Sequence, residues 1–374
     1  HMHALGVPTT RALCIVTTGE DVMRAWYAEE SNNERMVRER GAVGTRVSSS
    51  FLRFGQVHAS KQAQDACTLR IHSLAHAHAL LFPTQMEIFH QRGEAALLKE
   101  LAEHALTREF SHLMVQYPAE ARSQLYTRMF KEVCEKQARL VAEWLRVGYC
   151  QGNMNSDNSA LCGVTLDYGP FGFMEKFQPM WNPWVGGGLP YSFGRQPQAA
   201  AVNLVGLSEA FVMLIEKCCE EEKMGRAEKA ERVMDVRLCV KDTYVDAFDQ
   251  AHDENCRRKL GLREWDDEGQ ALYDDLFSLM ASKCGGQGID FTLFWRRLSQ
   301  EPPPPASAAA TSETAAAEEE TEGDGKVVTP ATAEEEAALM GVLGPAALES
   351  VSTWPTEHRE EWLSWARRYW KRVH

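Results

Sequence analysis

Ten cysteines are present, yet no two form a C-x-x-C pair, so the commonest signature of a zinc ribbon or dithiol redox centre is missing. Cys218 and Cys219 are adjacent and run into Glu220, Glu221 and Glu222; neighbouring cysteines seldom bridge, and the pair reads as a helix end. With no secretory signal in the chain, the thiols are expected to be reduced and mostly buried. No apolar run approaches the ~18 residues of a membrane span. An excess of basic charge is lacking too. The formal charge is −13, and ten acids against one lysine in residues 301–336 account for −9 of it. The remaining −4 is an ordinary balance that leaves no footprint for nucleic acid or a membrane surface. No cysteine or carboxylate near His72, His76 and His78 completes a plausible metal site, and they read as helix histidines.

What remains is the composition of a globular chain: 374 residues, 44% hydrophobic, with 10 Trp and 15 Phe, enough for one large domain or two smaller ones. Residues 10–17 (TRALCIVT) are strand-like, and 41–54 predict further sheet. Residues 118–146 predict a long helix, with Pro118 in its first turn and Leu125, Met129, Val133, Leu140, Val141 and Trp144 at helical spacing. Two or three charged helices are expected over 203–262, and an aromatic helix over 290–298. Residues 301–336, rich in Pro, Ala and Glu, cannot bury enough apolar surface to fold and predict a disordered insert. Trp362, Trp365, Tyr369 and Trp370 share one side of a final helix, where core packing is the expected role.

Chemistry concentrates between Gly148 and Glu175, GYCQGNMNSDNSALCGVTLDYGPFGFME. A polar loop carries Asp157-Asn158, a strand-like Val164-Thr165-Leu166 follows, and Asp167-Tyr168-Gly169 turns sharply. An Asn amide oxygen and an Asp carboxylate are hard ligands able to share Mg²⁺ with nucleotide phosphates. The adjacent Asp157 is then free to take a proton from an attacking hydroxyl. An Asx-turn followed by a glycine hairpin accounts for the same spacing without catalysis. An ordinary protein kinase fits poorly, because Asp and Asn are neighbours and Tyr168 stands where phenylalanine is usual.

The strings NSDN and LDYGPFGFME resemble the selenoprotein O family of kinase-like protein adenylyltransferases, whose usual text is HGVxNTDN followed by IDYGPFGF. HALGVPTTRALCIVTTGE (3–20), GAVGTRVSSSFLRFG (41–55), YSFGRQP (191–197) and DFTLFWRRLS (290–299) are similar to further family segments in the family's order. The resemblance implies an α+β, protein-kinase-like fold with an incomplete N-terminal lobe and a mainly helical C-terminal lobe. The Gly-rich loop, strand lysine and helix glutamate that the family carries upstream have no counterpart here, which leaves open whether the piece is active on its own. The domain organisation expected is a core over 1–300, the acidic insert over 301–336, and C-terminal helices over 337–374 that pack on the core.

The implied activity is transfer of AMP from ATP to Ser, Thr or Tyr hydroxyls of protein substrates. The resemblance gives Asp157 the catalytic role, Asn158 and Asp167 the metal (Mg²⁺, or Mn²⁺), and Arg46, Arg53 and Asp167 the ATP. It also implies ATP reversed relative to kinases. Seven residues separate Arg46 from Arg53, so a straight strand would aim them at opposite faces; Ser48-Ser49-Ser50 must bend the chain if both meet one phosphate. Gln151 stands where the family usually has His, keeping a neutral hydrogen bond but no charge. A monomer without nucleic-acid or membrane partners is expected, mitochondrial by resemblance. Two other readings stay open: a kinase moving the γ-phosphate, and a non-enzymatic remnant that binds partners.

Overall fold

The structure, a computed structural model, describes residues 1–27, 34–55, 86–184, 188–281, 288–304 and 330–373. The three histidines at 72–78 and most of the acidic stretch, 305–329, lie outside the described residues. The chain is mixed and mostly helical, with two small two-stranded sheets among the described residues. It divides into two compact units. The first comprises residues 1–145, 150–172 and 182–251; the second comprises 146–149, 173–181 and 252–374.

The first unit begins with a hairpin, β1 (Arg11–Tyr27) against β2 (Glu34–Val47). Its antiparallel register runs from Arg11 opposite Val47 to Tyr27 opposite Glu34, with irregularities after Ala12 and after Thr17. Sheet was expected as far as 54, but β2 stops at Val47 and Ser49 lies in a bend. Beyond the bend, Arg53 bridges Ala160, so residues 52–55 run beside the 156–161 loop. The short helix α1 (Met86–Gln91) follows, then α2 (Ala95–Glu109), α3 (Ser111–Gln116) and α4 (Arg122–Arg146).

Helix α4 carries the core of this unit. Leu125, Met129, Val133, Leu140 and Val141 are all buried, as their spacing predicts. It begins at Arg122, four residues later than expected, and Pro118 sits in the preceding turn. The reason is a remote cap. Glu222 accepts from the Ser123 N–H at 3.0 Å and from Ser123 Oγ at 2.6 Å, satisfying first-turn donors with a carboxylate where the helix dipole favours one. The long helix α5 (Gln196–Glu221) packs Phe211 against Phe130 of α4, ring centroids 4.8 Å apart. With the turn before it, α5 is long and apolar enough to cross a membrane, a stretch the residue-by-residue reading passed over; 56% of its apolar window is buried within the protein, as in a core helix. The helix α6 (Arg226–Cys239) and a π-helical turn over Val240–Tyr244 follow. The two-residue strands β3 (Tyr149–Cys150) and β4 (Gly172–Phe173) form the second sheet.

The helix α7 (Val245–Leu260) leads into the second unit, which contains α8 (Asp267–Ala281), α9 (Phe291–Leu298), α10 (Ala333–Ala346) and α11 (Thr356–Val373). Asp290 caps α9 by accepting from the Leu293 N–H. The aromatic stripe of α11 is core. Trp362, Trp365 and Trp370 are buried, Phe294 lies 5.8 Å from Trp362, and Trp365 Nε1 donates to the Leu272 carbonyl. Helix α10 starts inside the stretch read as a disordered insert: Thr332 and Glu335 form a capping box, and the Glu335 carboxylate pairs with both Nε and Nη2 of Arg367 at 2.8 Å. A run of three glutamates reads as solvated charge, whereas here it is a helix's first turn. The eight cysteines among the described residues are free; six are buried, while Cys14 is exposed and Cys162 intermediate.

Candidate active site

All five residues singled out from the sequence lie in the first unit: Asp157, Asn158 and Asp167 on two loops, and Arg46 and Arg53 on the 46–55 segment that bonds to both. The first loop is a single 3₁₀ turn, Ser156-Asp157-Asn158. Its backbone is pinned from both sides: Phe54 N–H donates to the Ser159 carbonyl at 3.0 Å, and Leu161 N–H to the Leu52 carbonyl at 2.9 Å. Inside it, Asn158 Nδ2 donates to the Asn153 carbonyl at 3.0 Å, which orients the amide. Asn203 Nδ2 holds the Met154 carbonyl at 2.7 Å, and Tyr191, from the YSFGRQP segment, donates to Asn155 Oδ1 at 2.8 Å.

The second loop begins at Thr165. No continuous strand forms over 164–166; instead Thr165 bridges Thr9 and Ser159, and its N–H donates to the Pro8 carbonyl at 2.9 Å. Trp144 Nε1 donates to Thr165 Oγ1 at 2.8 Å, tying the loop to α4. The Tyr168 hydroxyl is hydrogen-bonded to Thr9. Asp167 Oδ2 accepts from the Gly169 N–H at 3.1 Å, which shapes the Asp-Tyr-Gly turn. Gln151 does keep a neutral hydrogen bond here: its amide donates to the Asp167 carbonyl at 3.1 Å. Gly152 beside it is required, because its φ is +74° and a Cβ would stand 2.3 Å from the Pro170 carbonyl oxygen.

The two arginines serve these loops separately. Arg46 Nη1 donates to the carbonyl of Leu166, next to Asp167, and Arg53 Nη1 donates to the carbonyl of Asp157 at 2.9 Å. The bend at Ser49 is what allows both to face the site despite their odd spacing. Three buried polar atoms lack hydrogen-bond partners in this region: Arg53 Nε, Asn153 Oδ1 and Asp157 Oδ1. Such orphans are rare in folded proteins, and three fall within this one region. Burial lifts the Asp157 carboxyl above its ordinary value; its own N–H and the Arg53 charge oppose this, and repulsion from Asp167 adds to it. Two acids that repel, with an amide oxygen adjacent, suit a divalent cation with hard oxygen ligands. Among the described residues no three His, Cys, Asp or Glu side chains converge as a metal cluster. Asn158 and Asp167 are the side chains here that could hold such a cation, with further oxygens supplied from outside the protein.

Sequence reasoning missed Glu87. Its carboxylate accepts from Ser156 Oγ at 2.8 Å, and no local pattern signals a partner 69 residues away.

Two loops bearing Asp-Asn and Asp are thus held by arginines and carry unpartnered polar atoms. A family model described as "Protein adenylyltransferase SelO" matches residues 1–374, and the chain belongs to the SelO family. It is similar to the "Protein nucleotidyltransferase YdiU" of Rhodopirellula baltica, 34% identical over 301 residues, which is 80% of this chain and 46% of that protein. The protein of the same name from Aromatoleum aromaticum is 35% identical over 300 residues, again 80% of this chain and 46% of the relative. The chain thus spans about half the length of these curated relatives.

Proposed function

We propose that this chain carries the catalytic loop and phosphate-facing acids of a kinase-like protein adenylyltransferase, moving AMP from ATP onto a Ser, Thr or Tyr hydroxyl of a protein. The observation that carries the reading is the buried Asp157 Oδ1, left without a hydrogen-bond partner on a loop whose backbone is pinned at Ser159 and Leu161. Asp157 orients the acceptor hydroxyl and takes its proton as the oxygen bonds to the α-phosphorus. The bond from the α-phosphorus to the bridging oxygen breaks, and pyrophosphate leaves with the electron pair. Asn158 and Asp167 would hold the divalent cation, which when bound neutralises charge on the phosphates. Arg46 and Arg53, each with one Nη on a main-chain carbonyl, direct the rest of their guanidinium forks toward phosphate oxygens.

The test uses ATP labelled at either the α- or the γ-phosphate, with Mg²⁺ and a mixed protein substrate. Label from the α position alone, lost in Asp157→Ala, is the expected result. Transfer of γ label would make the protein a kinase instead. Absence of both labels, together with no Mg²⁺-dependent nucleotide binding, would favour a binding module.

A further inference from the structure

Glu87 lies in the first turn of α1, where its N–H donates to the Phe54 carbonyl at 3.1 Å and so brings it beside Gly55. Its carboxylate enters a slot that two glycines leave open. A Cβ on Gly55 would fall 1.9 Å from Glu87 Oε2 and 2.7 Å from Ser156 Oγ, and a Cβ on Gly206 would fall 3.2 Å from Glu87 Oε1. At the end of that slot Oε2 accepts from Ser156 Oγ, while the Ser156 carbonyl accepts from the Gly55 N–H at 3.3 Å. Burial lifts the Glu87 carboxyl above its ordinary value; the Ser156 hydrogen bond opposes this and repulsion from Asp157 adds to it. A carboxylate kept so near another acid, in space cleared by two glycines, is an expensive arrangement for a side chain that only packs.

We propose that Glu87 is a positioning residue: by gripping Ser156 it fixes the Ser156-Asp157-Asn158 turn, and with it the direction in which Asp157 meets the acceptor hydroxyl. This rests on the adenylyl-transfer reading of the site. Glu87 itself touches neither nucleotide nor acceptor, so its loss should slow the chemical step while leaving nucleotide affinity intact. Glutamine can still accept the Ser156 hydrogen bond through its amide oxygen, whereas alanine cannot.

The experiment compares Glu87→Ala, Glu87→Gln, Ser156→Ala, the Glu87→Ala/Ser156→Ala double variant and Asp157→Ala, all in the full chain. Transfer from α-labelled ATP and backbone amide exchange at Asn158 and Ser159 are both read. Glu87→Ala should lower kcat on the order of 10- to 100-fold, as misplacement of a reacting group does. KM for ATP should stay within about twofold, since only transition-state contacts are lost. Glu87→Gln should recover most of the rate, Ser156→Ala should match Glu87→Ala, and the double variant should be no worse than either. Exchange at Asn158 and Ser159 should quicken in the alanine variants and not in Glu87→Gln. Unchanged kcat and exchange in Glu87→Ala, or a Glu87→Gln as poor as alanine, would overturn the proposal. Should Glu87→Ala fail to fold, Ser156→Ala decides the same point. Full transfer by Asp157→Ala would sink the adenylyl-transfer reading instead, and amide exchange alone would then judge Glu87.

Discussion

Arg53 Nη1 reaches the main-chain carbonyl of Asp157 at 2.9 Å, while Oδ1 of that same aspartate stays buried and unbonded. The arginine thus secures the backbone of the loop without saturating its acid. Arg46 treats the second acid alike, through the carbonyl of Leu166. In the proposed reaction, a carboxylate held in place with one acceptor oxygen unused is the group that takes the proton of the incoming hydroxyl.

Asp157→Asn keeps the size and the anchored backbone but removes the base. Transfer from α-labelled ATP should fall by ~10²–10⁴-fold, the usual contribution of a positioned base. Nucleotide affinity, followed by calorimetry, should change little. A rate within a few-fold of the parent would show that Asp157 is not the proton acceptor.

Asp167→Ala removes one of the two proposed protein ligands for the cation, and Asn158 alone is too few. Mg²⁺-dependent ATP binding should be abolished while any metal-independent binding persists. Equal binding with and without the carboxylate would end the metal assignment.

Glu335 supplies a pH test in the second unit. Burial pushes its carboxyl up, but Arg367 and the capping contacts with Thr332 outweigh burial and leave it below the ordinary 4.5. A carboxyl depressed on folding stabilises the protein above its unfolded value, and that stability is lost as pH falls through the lower folded value. Glu335→Gln should therefore destabilise at neutral pH by about 1.5 kcal/mol, the net worth of a hydrogen bond to a charged group. The gap between parent and variant should close in acid. Denaturant melts across that range would show a constant gap if the pair contributes nothing.

Legibility from sequence followed the range of the forces involved. The buried face of α4 and the aromatic side of α11 were readable because helical spacing is a local property, recorded in residues such as Leu125, Met129 and Trp362. The end of β2 was readable only to within several residues, because three serines announce a bend without saying where pairing stops. The start of α4 was not readable, since its cap comes from Glu222, 99 residues on. Asp157, Asn158, Asp167, Arg46 and Arg53 were found through resemblance and spacing, and the structure gathers them in one region. Glu87 carries no motif; only the fold brings it to Ser156. Glu335 was hidden differently, inside a charge run whose composition suggests solvent.

The tryptophans are unevenly shared between the two units. Seven of the ten (181, 265, 295, 354, 362, 365 and 370) belong to the second unit, and the proposed site belongs wholly to the first. Intrinsic fluorescence, the habitual gauge of whether a variant is intact, therefore listens mainly to the unit without the chemistry. A substitution that loosens the Asp157 loop can leave the emission spectrum of this protein native. Claims of integrity for site variants need a reporter in the first unit, for which Trp144, bonded to Thr165, is the natural choice.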